Sequence, residues 1–470
     1  MKCDVAVLGG GPGGYTAAIR AAQLGAKVVC IEQEPALGGT CLRVGCIPTK
    51  AWVQSAEFLR QARESFPRLG VSLSDAELDF PAANAWKDSV VAKMTGGVAS
   101  LFKANGVEWV KGRGVFLDEH RLSVEGAEEV RFSSAVIATG SAPIRPPIPG
   151  LDSPLCVDST GLLASESVPE RLVILGGGVI GCEFASIFST FGSEVTIIEL
   201  LPRLIPQEDE AASAELARAF ARRGIVLELG KQCTQVIESE DALTVHFGEE
   251  DTADADLMLV AVGRSPLVEG IGLEAAGVAY DRRTGIATDE RRCTSVAHIY
   301  AVGDCAGHWQ LAHTAFREGE VAAENACGQQ VVIGAPAVPR PIYTHPEIAS
   351  VGLTEAEARE RYGEAVAVGV FPWVANARAV MQDDTGGFVK SIHETRYGEL
   401  LGLVIVGPHA TDLVEAGVVA LDAEATVETV ADGMAPHPTL SEAIKEAALV
   451  ALGRAIHLPN RAKRPVGVRP

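Results

Sequence analysis

The sequence predicts an α/β protein with several domains. Two patterns lead to this fold class. A strand, a glycine-rich turn, a helix and a second strand follow one another twice, in residues 4–32 and 171–199. The apolar runs are short and rich in Val, Ile, Leu and Ala, as buried parallel strands are. With 470 residues, 47% of them hydrophobic, the chain is long enough for more than one core.

The composition argues against several classes of partner. A formal net charge of −21 argues against nucleic acid, because polyanions are bound through cationic surface. The apolar runs fall short of the ~18 residues that a membrane span needs, and residues 1–10 lead into a strand without the segments of an export signal. We therefore expect a soluble, cytoplasmic protein with no nucleic-acid or membrane partner, whose ten cysteines are mostly thiols.

The first glycine turn has the spacing of a dinucleotide-binding loop. Gly9, Gly11 and Gly14 follow a strand and open an Ala-rich helix, and Glu32 closes the next strand, 23 residues after Gly9. Such glycines let a pyrophosphate approach the helix N-terminus, and the acid can bind a ribose hydroxyl. The alternative is that the glycines serve only the close packing of helix against strand.

The second glycine turn repeats the first. Gly176, Gly178 and Gly181 have the same spacing, and Glu199 again lies 23 residues after the first glycine. Two complete units indicate two dinucleotides. A flavin dinucleotide and a nicotinamide dinucleotide together make an electron relay, whereas two pyridine nucleotides would not.

The remaining segments differ from these units. Residues 132–150 and 255–266 each form a strand that leads into a turn with proline, which is typical of a domain exit. Residues 298–307 predict a buried strand that delivers Asp304 at its C-terminal end, where open α/β sheets bind ligands. A solvated turn aspartate is the alternative. From about residue 339 strands and helices occur without phosphate-loop glycines, which indicates a third, different kind of domain.

Two cysteines, Cys41 and Cys46, lie five residues apart in the segment GGTCLRVGCIPTK and are the best candidates for chemistry. On a regular helix their Cα atoms would be about 8.6 Å apart, whereas a disulfide needs less than about 7 Å. A bonded pair therefore requires a bent backbone, which Gly45 and Pro48 would allow. The alternatives are a static disulfide, two packed thiols, or half of a zinc site; no metal site is predicted, because no second pair follows.

His437 is the histidine most suited to act as a base. It precedes a proline, which favours extended backbone, and Glu442 lies five residues on, at the start of a predicted helix. A nearby carboxylate could orient the imidazole and raise its pKa. Thr439 or Ser441 could equally make this stretch an ordinary capped helix start.

Together these motifs resemble the dihydrolipoamide dehydrogenase family of flavoprotein disulfide reductases. The resemblance runs to about Leu458 through GGGPGGY, GGTCLRVGCIPTK, ATGSAPIRPPIPG, GGGVIGCEFASIF, AVGRSP, IYAVGDC, LAHTAFREG, YTHPEIASVG and HPTLSEA. Arg43 and Thr49 depart from common choices, and the segment GHWQLAH, residues 307–313, is unusual.

The resemblance implies two Rossmann-like domains, for FAD and NAD, and a C-terminal α+β dimerisation domain. The expected divisions are a first FAD part in residues 1–150, an NAD domain in 151–270, a central second FAD part in 271–338, a dimerisation domain in 339–460 and a disordered tail in 461–470. The implied partners are a second copy of the chain and the dihydrolipoyl domain of a 2-oxo acid dehydrogenase or glycine cleavage complex.

The resemblance also implies a role for each candidate residue. Cys41 would exchange with substrate and Cys46 would lie against the flavin, while His437 and Glu442 would form an acid–base pair that serves the other subunit. Lys50 would lie near the flavin and pair with Glu183. The residues implied to bind FAD are Gly9, Gly11, Gly14, Glu32, Lys50, Thr139, Gly140, Asp304 and Ala312. Those implied to bind NAD are Gly176, Gly178, Gly181, Glu183, Glu199 and Gly263.

The competing functions are other disulfide reductases and a non-catalytic flavoprotein. Mercuric reductases typically add a C-terminal cysteine pair, but no cysteine follows Cys327. Glutathione-type enzymes use NADPH, whose phosphate needs arginines near the second acid, and Arg203 is the only cation near Glu199. A non-catalytic subunit would not need the cysteines, the lysine and the His–Glu pair together.

Overall fold

The computed structural model describes residues 1–240, 242–334 and 337–459; the predicted tail, 461–470, lies outside the described residues. The first stretch of the chain alternates strands and helices. Its strands are β1 (Val5–Leu8), β2 (Val28–Glu32), β3 (Glu108–Lys111), β4 (Gly114–Asp118), β5 (Arg121–Val124), β6 (Val130–Arg131), β7 (Ser134–Ile137) and β8 (Ser141–Pro143). Its helices are α1 (Pro12–Gln23), α2 (Gly39–Val44), α3 (Cys46–Glu64) and α4 (Phe80–Asn105).

The second stretch contains the repeated glycine turn. Its strands are β9 (Cys156–Val157), β10 (Arg171–Leu175), β11 (Glu194–Glu199), β12 (Val226–Leu229), β13 (Cys233–Ser239), β14 (Ala242–Phe247), β15 (Asp251–Ala255), β16 (Leu257–Val260) and β17 (Arg264–Pro266). Its helices are α5 (Ser159–Leu163), α6 (Val179–Phe191) and α7 (Glu210–Arg222).

The last stretch begins with one more strand and a long helix. Its strands are β18 (Ile299–Ala301), β19 (Arg340–Ile342), β20 (Ile348–Gly352), β21 (Val366–Pro372), β22 (Phe388–Glu394) and β23 (Leu400–Val406). Its helices are α8 (Ala312–Ala326), α9 (Glu355–Tyr362), α10 (Ala377–Met381), α11 (Ala410–Leu413), α12 (Glu415–Asp422), α13 (Val427–Asp432) and α14 (Glu442–Ala451). Short 3₁₀ turns span Gly303–Ala306, Gly363–Ala365 and Trp373–Ala375.

Two parallel five-stranded sheets carry the glycine turns. The first has the order β18-β7-β1-β2-β3 and the second β12-β11-β10-β16-β9. Strand β18 pairs with β7 after the whole second sheet has been formed, so the second unit is an insertion in the first. Both sheets place a glycine turn at the C-terminal end of a central strand, β1 or β10, which is where such sheets bind ligands.

The C-terminal part is built differently. Its sheet is antiparallel, in the order β19-β20-β23-β22-β21, and α14 packs against β21 and β22. The predicted fold class, two Rossmann-like units and a C-terminal α+β domain, is therefore confirmed. The boundaries at residues 150, 270 and 338 remain predictions.

An aromatic cluster fixes the cysteine-bearing helix against the inserted unit. Trp52, on α3, is fully buried and its ring centroid lies 5.5 Å from that of Phe80 and 5.8 Å from that of Phe188 on α6. The Trp52–Phe188 pair is edge-to-face and the Trp52–Phe80 pair is tilted. Favourable aromatic pairs add about 0.5–1.5 kcal/mol each to the free energy of area burial. The cluster holds the start of α3, where Cys46 lies, at a fixed position relative to α6.

Candidate active site

One continuous cleft brings the two glycine turns and the cysteine pair together. Its volume is about 3020 Å³, which exceeds the roughly 300–1,000 Å³ of an ordinary small-molecule site. The sequence-predicted residues that line it are Gly9, Gly11, Glu32, Cys41, Cys46, Lys50, Thr139, Gly140, Gly176, Gly178, Glu183, Glu199, Gly263, Asp304 and Ala312. The cleft is therefore large enough for two dinucleotides with the cysteines beside them.

Each glycine turn combines tight packing with one open position. A Cβ on Gly14 would lie 1.9 Å from the Gly9 carbonyl oxygen, and a Cβ on Gly181 would lie 2.0 Å from that of Gly176. In contrast, a Cβ on Gly178 would meet no described atom within 4 Å, and a Cβ on Gly11 would make only an ordinary contact, 3.6 Å from the Gly39 Cα. The outer glycines are thus required by the helix–strand packing, whereas the middle glycine leaves room for a ligand at the helix N-terminus. This arrangement fits a bound pyrophosphate.

The acid after each unit is tied to its own glycine turn. Glu32 accepts hydrogen bonds from the backbone N–H groups of Gly10 (2.7 Å) and Glu34 (2.9 Å). Glu199 accepts hydrogen bonds from those of Gly177 (2.5 Å) and Leu201 (2.7 Å). A carboxylate offers about four acceptor positions, so both acids can still accept a ribose hydroxyl.

The backbone between Cys41 and Cys46 is bent, as the spacing predicts. Helix α2 ends at Val44, Gly45 adopts φ −144° and ψ −109°, and α3 begins at Cys46. A Cβ on Gly45 would lie 2.8 Å from the Thr40 carbonyl oxygen, so this close turn needs glycine. The bend itself lies at Gly45, and Pro48 is compatible with the restart of the helix. Pro48 lies inside the first turn of α3, where its missing N–H has no helical partner to lose.

Cys41 and Cys46 are free thiols in hydrogen-bond contact, the reduced form of the predicted pair. The hydrogen bond from Cys41 lowers the pKa of Cys46 to about 7, against the effect of burial, and the charge of Lys50 lowers it further. The same hydrogen bond, together with burial, raises the pKa of Cys41. Above about pH 7 the pair therefore holds one proton, on Cys41, and Cys46 is the sulfur that becomes the thiolate.

An ion pair stands beside this thiolate. Lys50 Nζ lies 2.6 Å from Glu183 Oε2 and 4.6 Å from the centre of the Tyr343 ring. The backbone N–H of Tyr343 donates to Glu183 Oε1 (3.0 Å). Burial alone would lower the pKa of Lys50, but Glu183 and Cys46 raise it, so the ammonium keeps its charge. The predicted pairing of Lys50 with Glu183 is thus present.

The Asp304 side chain forms a small polar network at the cleft. It accepts a short hydrogen bond from the Ser141 hydroxyl, and Arg264 Nε donates to the same hydroxyl (2.8 Å). Nearby, the Thr139 hydroxyl donates a hydrogen bond to the Leu267 carbonyl (2.6 Å). Asp304 is consequently held in place by neighbouring strands, which does not fit a freely solvated turn aspartate.

His437 and Glu442 form a pair away from the cleft. His437 Nδ1 lies 2.9 Å from Glu442 Oε1, and Glu442 Oε2 accepts the Thr439 N–H (2.8 Å). The His437 side chain is 73% exposed, and neither residue is among the described residues that line the cleft. One chain therefore does not bring its own His437 to its own Cys41. Ser441 makes no side-chain cap.

Comparison with known proteins places the chain in a family. The family model described as Pyridine nucleotide-disulphide oxidoreductase matches residues 3–319, and the model of its dimerisation domain matches residues 338–448. The chain belongs to the pyridine nucleotide-disulphide oxidoreductases.

Individual relatives show which of these oxidoreductases the chain is similar to. The chain is 40% identical to the mitochondrial dihydrolipoyl dehydrogenase of Pisum sativum, over 97% of this chain and 92% of that protein. It is 42% identical to the dihydrolipoyl dehydrogenase of Thermus scotoductus, over 97% and 99%. Among solved structures, the Cu(II) complex of the HOCl-induced flavoprotein disulfide reductase RclA from Escherichia coli superimposes with a TM-score of 0.87 at 30% identity, over 95% of this chain and 99% of that chain.

These comparisons confirm several of the predictions. The resemblance to the dihydrolipoamide dehydrogenases and the predicted function of that family are confirmed, as is an oxidoreductase activity. FAD and NAD are the cofactors of this family, and the dimerisation domain supports the predicted homodimer.

Two features are absent from the described residues. Among these residues, no helix combines the length and the apolar composition of a membrane span. No group of three or more His, Cys, Asp or Glu side chains in the described ranges could hold a metal ion.

Sequence reasoning did not identify three residues of this pyridine nucleotide-disulphide oxidoreductase site. Tyr343 holds both members of the Lys50–Glu183 pair, and Ser141 with Arg264 holds Asp304. Tyr343 is the first residue of the motif YTHPEIASVG, and Ser141 follows Thr139 and Gly140 in ATGSAP. The motifs could therefore be recognised in the sequence. Their contacts, however, join residues 123 to 293 positions apart, and sequence spacing alone does not predict which of these residues meet.

Proposed function

We propose that the protein oxidises protein-bound dihydrolipoyl groups to lipoyl groups with NAD⁺ as the final acceptor. The single observation that carries this proposal is the Cys41–Cys46 contact, in which Cys46 has a pKa of about 7. A low pKa supplies a thiolate at neutral pH, which a dithiol–disulfide exchange requires. The nearby Lys50 ammonium stabilises that thiolate.

The proposed exchange starts from the oxidised form of the pair, a Cys41–Cys46 disulfide. His437 of a second copy takes a proton from one dihydrolipoyl thiol, and the resulting thiolate attacks Sγ of Cys41. The Cys41–Cys46 bond breaks, so a mixed disulfide forms at Cys41 and the electron pair remains on Cys46 as a thiolate. The second substrate sulfur attacks the mixed disulfide and closes the lipoyl disulfide, and its proton passes to the departing Cys41 sulfur, which leaves as a thiol. The substrate is oxidised by two electrons, and the cysteine pair is reduced by two.

The remaining residues fit the two dinucleotides. FAD would be held by the first glycine turn with Glu32, Asp304, Thr139, Gly140 and Ala312. NAD would be held by the second turn with Glu199 and Gly263. When bound, FAD would supply an acceptor for the electron pair of the cysteines, and NAD⁺ would supply a hydride acceptor. Lys50 and Glu183 form an ion pair beside Cys46.

The surroundings of Glu199 support NAD rather than NADP. A carboxylate accepts a hydrogen bond from a free ribose 2′-hydroxyl and repels a 2′-phosphate. The nearby cation, Arg203, donates to the backbone carbonyls of Glu208 (2.8 Å) and Pro206 (2.5 Å). The Arg203 guanidinium thus binds carbonyls of the loop that contains Pro206 and Glu208, and is not free to bind a 2′-phosphate.

The proposed partner is the dihydrolipoyl domain of a 2-oxo acid dehydrogenase or glycine cleavage complex, and the proposed compartment is the cytoplasm. In support of that compartment, the eight cysteines other than Cys41 and Cys46 form no disulfide in the described structure, as a reducing compartment would keep them. In a homodimer, the exposed His437–Glu442 pair of each copy would serve the thiol pair of the other.

A substrate and nucleotide comparison tests the proposed function. Purified holoenzyme is expected to reduce lipoamide with NADH, and to show little turnover with glutathione disulfide or with NADPH. The measurement is kcat/KM for each of the two disulfides, lipoamide and glutathione disulfide, with each of the two nucleotides, NADH and NADPH. A higher kcat/KM with NADPH, or with glutathione disulfide, would assign the chain to a different reductase.

A pair of glycine variants tests where the nicotinamide nucleotide binds. Gly178→Ala places a methyl group in the open space of the second turn, where its φ of −76° is acceptable to alanine. We expect the variant to retain FAD and its Tm but to raise the Kd for NADH at least about tenfold, a cost of ~1.4 kcal/mol. Gly181→Ala is the contrast, because its methyl group collides with backbone and should destabilise the unit itself. Unchanged NADH affinity in Gly178→Ala would place the nucleotide elsewhere.

A further inference from the structure

The first part of the unusual segment GHWQLAH, residues 307–310, brings three side chains to the cleft. It connects the short turn Gly303–Ala306, which carries Asp304, to helix α8, which begins at Ala312. The three side chains that line the cleft are His308, Trp309 and Gln310. None of them has a part in the exchange proposed above. They are therefore candidates for a role in binding.

Trp309 lies against an arginine that is joined to the second glycine turn. The Arg340 guanidinium lies over the Trp309 ring, 5.9 Å from its centre, and Arg340 Nε pairs with Glu208 Oε1 (3.0 Å). The Glu208 N–H donates to the Ile205 carbonyl (2.9 Å), and the Ile205 N–H donates to the Gly177 carbonyl of the second turn (2.8 Å). A continuous series of contacts therefore joins Trp309 to the unit that would bind NAD.

The same segment is also joined to the flavin side of the cleft. Gln310 Nε2 donates to the Arg264 carbonyl (3.4 Å), and Arg264 Nε donates to the Ser141 hydroxyl that holds Asp304. Trp309 consequently lies where the unit that would bind FAD meets the unit that would bind NAD. Because hydride transfer needs the two reacting rings in contact, the nicotinamide end of NAD belongs at this junction.

The surface that Trp309 presents suits a flat ring better than an anion. Trp309 is 42% exposed, whereas the Arg340 side chain is only 13% exposed. A free arginine would attract phosphate, but Arg340 pairs with Glu208 and also donates to the Gly352 carbonyl (3.3 Å). The indole is thus the accessible part of this contact. Planar heterocycles bind favourably against such aromatic surface.

We propose that Trp309 contacts the nicotinamide ring of the bound dinucleotide and determines specificity for ligands that carry this ring. The inference rests on the proposed function, in which NAD⁺ accepts the electron pair. Glu199 and the open position at Gly178 bind the ADP-ribose part of the nucleotide, which does not include the ring. Loss of the indole should therefore weaken the binding of NAD⁺ without weakening the binding of ADP-ribose.

Two ligands that differ only by the nicotinamide ring test this role. NAD⁺ and ADP-ribose share the adenosine, the pyrophosphate and the second ribose, and neither can reduce the oxidised holoenzyme. Isothermal titration calorimetry on that form gives both Kd values. Trp309→Ala is expected to raise the Kd of NAD⁺ about tenfold, as loss of an aromatic stacking partner does. The Kd of ADP-ribose, the FAD content and the Tm should not change.

Two further variants separate ring contact from a general effect of losing a tryptophan. Trp309→Phe keeps aromatic surface, so its Kd for NAD⁺ should stay close to that of the unmodified enzyme. Trp86, on α4, is 58% exposed and is not among the described residues that line the cleft. Trp86→Ala should therefore change neither Kd.

Tryptophan fluorescence provides a second readout. In the unmodified oxidised holoenzyme, NAD⁺ should quench part of the emission, because its ring would contact an indole, and ADP-ribose should not. Trp309→Phe should lack this ring-specific quenching while it still binds NAD⁺. If Trp309→Ala cannot be obtained with FAD bound, this difference alone decides: quenching that persists in Trp309→Phe would overturn the assignment.

The calorimetric outcomes are equally decisive. An unchanged Kd for NAD⁺ in Trp309→Ala, or an equal rise in the Kd of both ligands, would overturn the ring contact. In the second case Trp309 would only support the shape of the cleft. Failure of the proposed function has a different signature, because the unmodified holoenzyme would then not bind NAD⁺ or would not oxidise dihydrolipoamide.

Discussion

Replacing Cys41 by Ser is expected to abolish dihydrolipoamide-dependent reduction of NAD⁺, with a loss of at least ~10³-fold, as for other removed nucleophilic groups. The reason is that the substrate thiolate would have no sulfur to attack, and a serine hydroxyl cannot form the mixed disulfide. Reduction of ferricyanide by NADH should persist, because that path does not pass through the cysteine pair. Steady-state rates of both reactions on the same FAD-loaded preparation measure the effect.

A cysteine outside the cleft provides the control for this variant. Cys293 is partly buried, and in the described structure its thiol donates hydrogen bonds only to backbone carbonyls of its own turn. Cys293→Ser should therefore keep both activities near those of the unmodified enzyme. If Cys41→Ser retained more than a few per cent of the dihydrolipoamide activity while Cys293→Ser lost it, the assignment of the exchange sulfur would be wrong.

A mixed dimer is expected to regain activity that neither parent has. His437 lies on the C-terminal domain, away from the cleft of its own chain, so each site would need residues from two copies. Cys41→Ser and His437→Gln homodimers should both be nearly inactive with dihydrolipoamide. In a heterodimer of the two, one site inherits both lesions, and the other receives an intact Cys41 and an intact His437.

The purified heterodimer should show about half the activity of the unmodified dimer, if the two sites act independently. Co-expression of differently tagged chains and sequential affinity purification gives the species to be assayed. FAD content, measured on the same sample, reports whether the fold is intact. A heterodimer that retains FAD but is as inactive as its parents would contradict a shared site, and His437 would then be only part of the start of α14.

The two glycine turns and the bend at Gly45 could be predicted because their causes are local. Gly14 and Gly181 must lack a side chain so that a helix can pack on the strand before it, and residues within one turn of each other decide this. The helix break between Cys41 and Cys46 follows from a distance that a regular helix cannot meet. The sequence alone does not show that α3 begins at Cys46, which puts Pro48 in the first turn of that helix.

The contacts that hold the site in place depend on tertiary packing and could not be predicted. Tyr343 reaches Lys50 and Glu183 only because the strands after residue 339 pack beside α6. A buried network that joins the second unit to the C-terminal sheet was also missed: Lys390 pairs with Asp209 (2.7 Å), and Arg340 pairs with Glu208 (3.0 Å). Charged residues far apart in sequence are ordinarily expected at the surface, so nothing local indicates that these four meet.

Differential alkylation of Cys41 and Cys46 tests the central claim most directly. The air-oxidised holoenzyme and the same enzyme reduced with one equivalent of NADH are each treated with iodoacetamide under denaturing conditions, and the modified residues are located by mass spectrometry. If the two cysteines form the redox-active pair, both should be protected before reduction and both alkylated after it. The other eight cysteines should react equally in the two samples. Alkylation of Cys41 and Cys46 without NADH, or no change on reduction, would contradict the account.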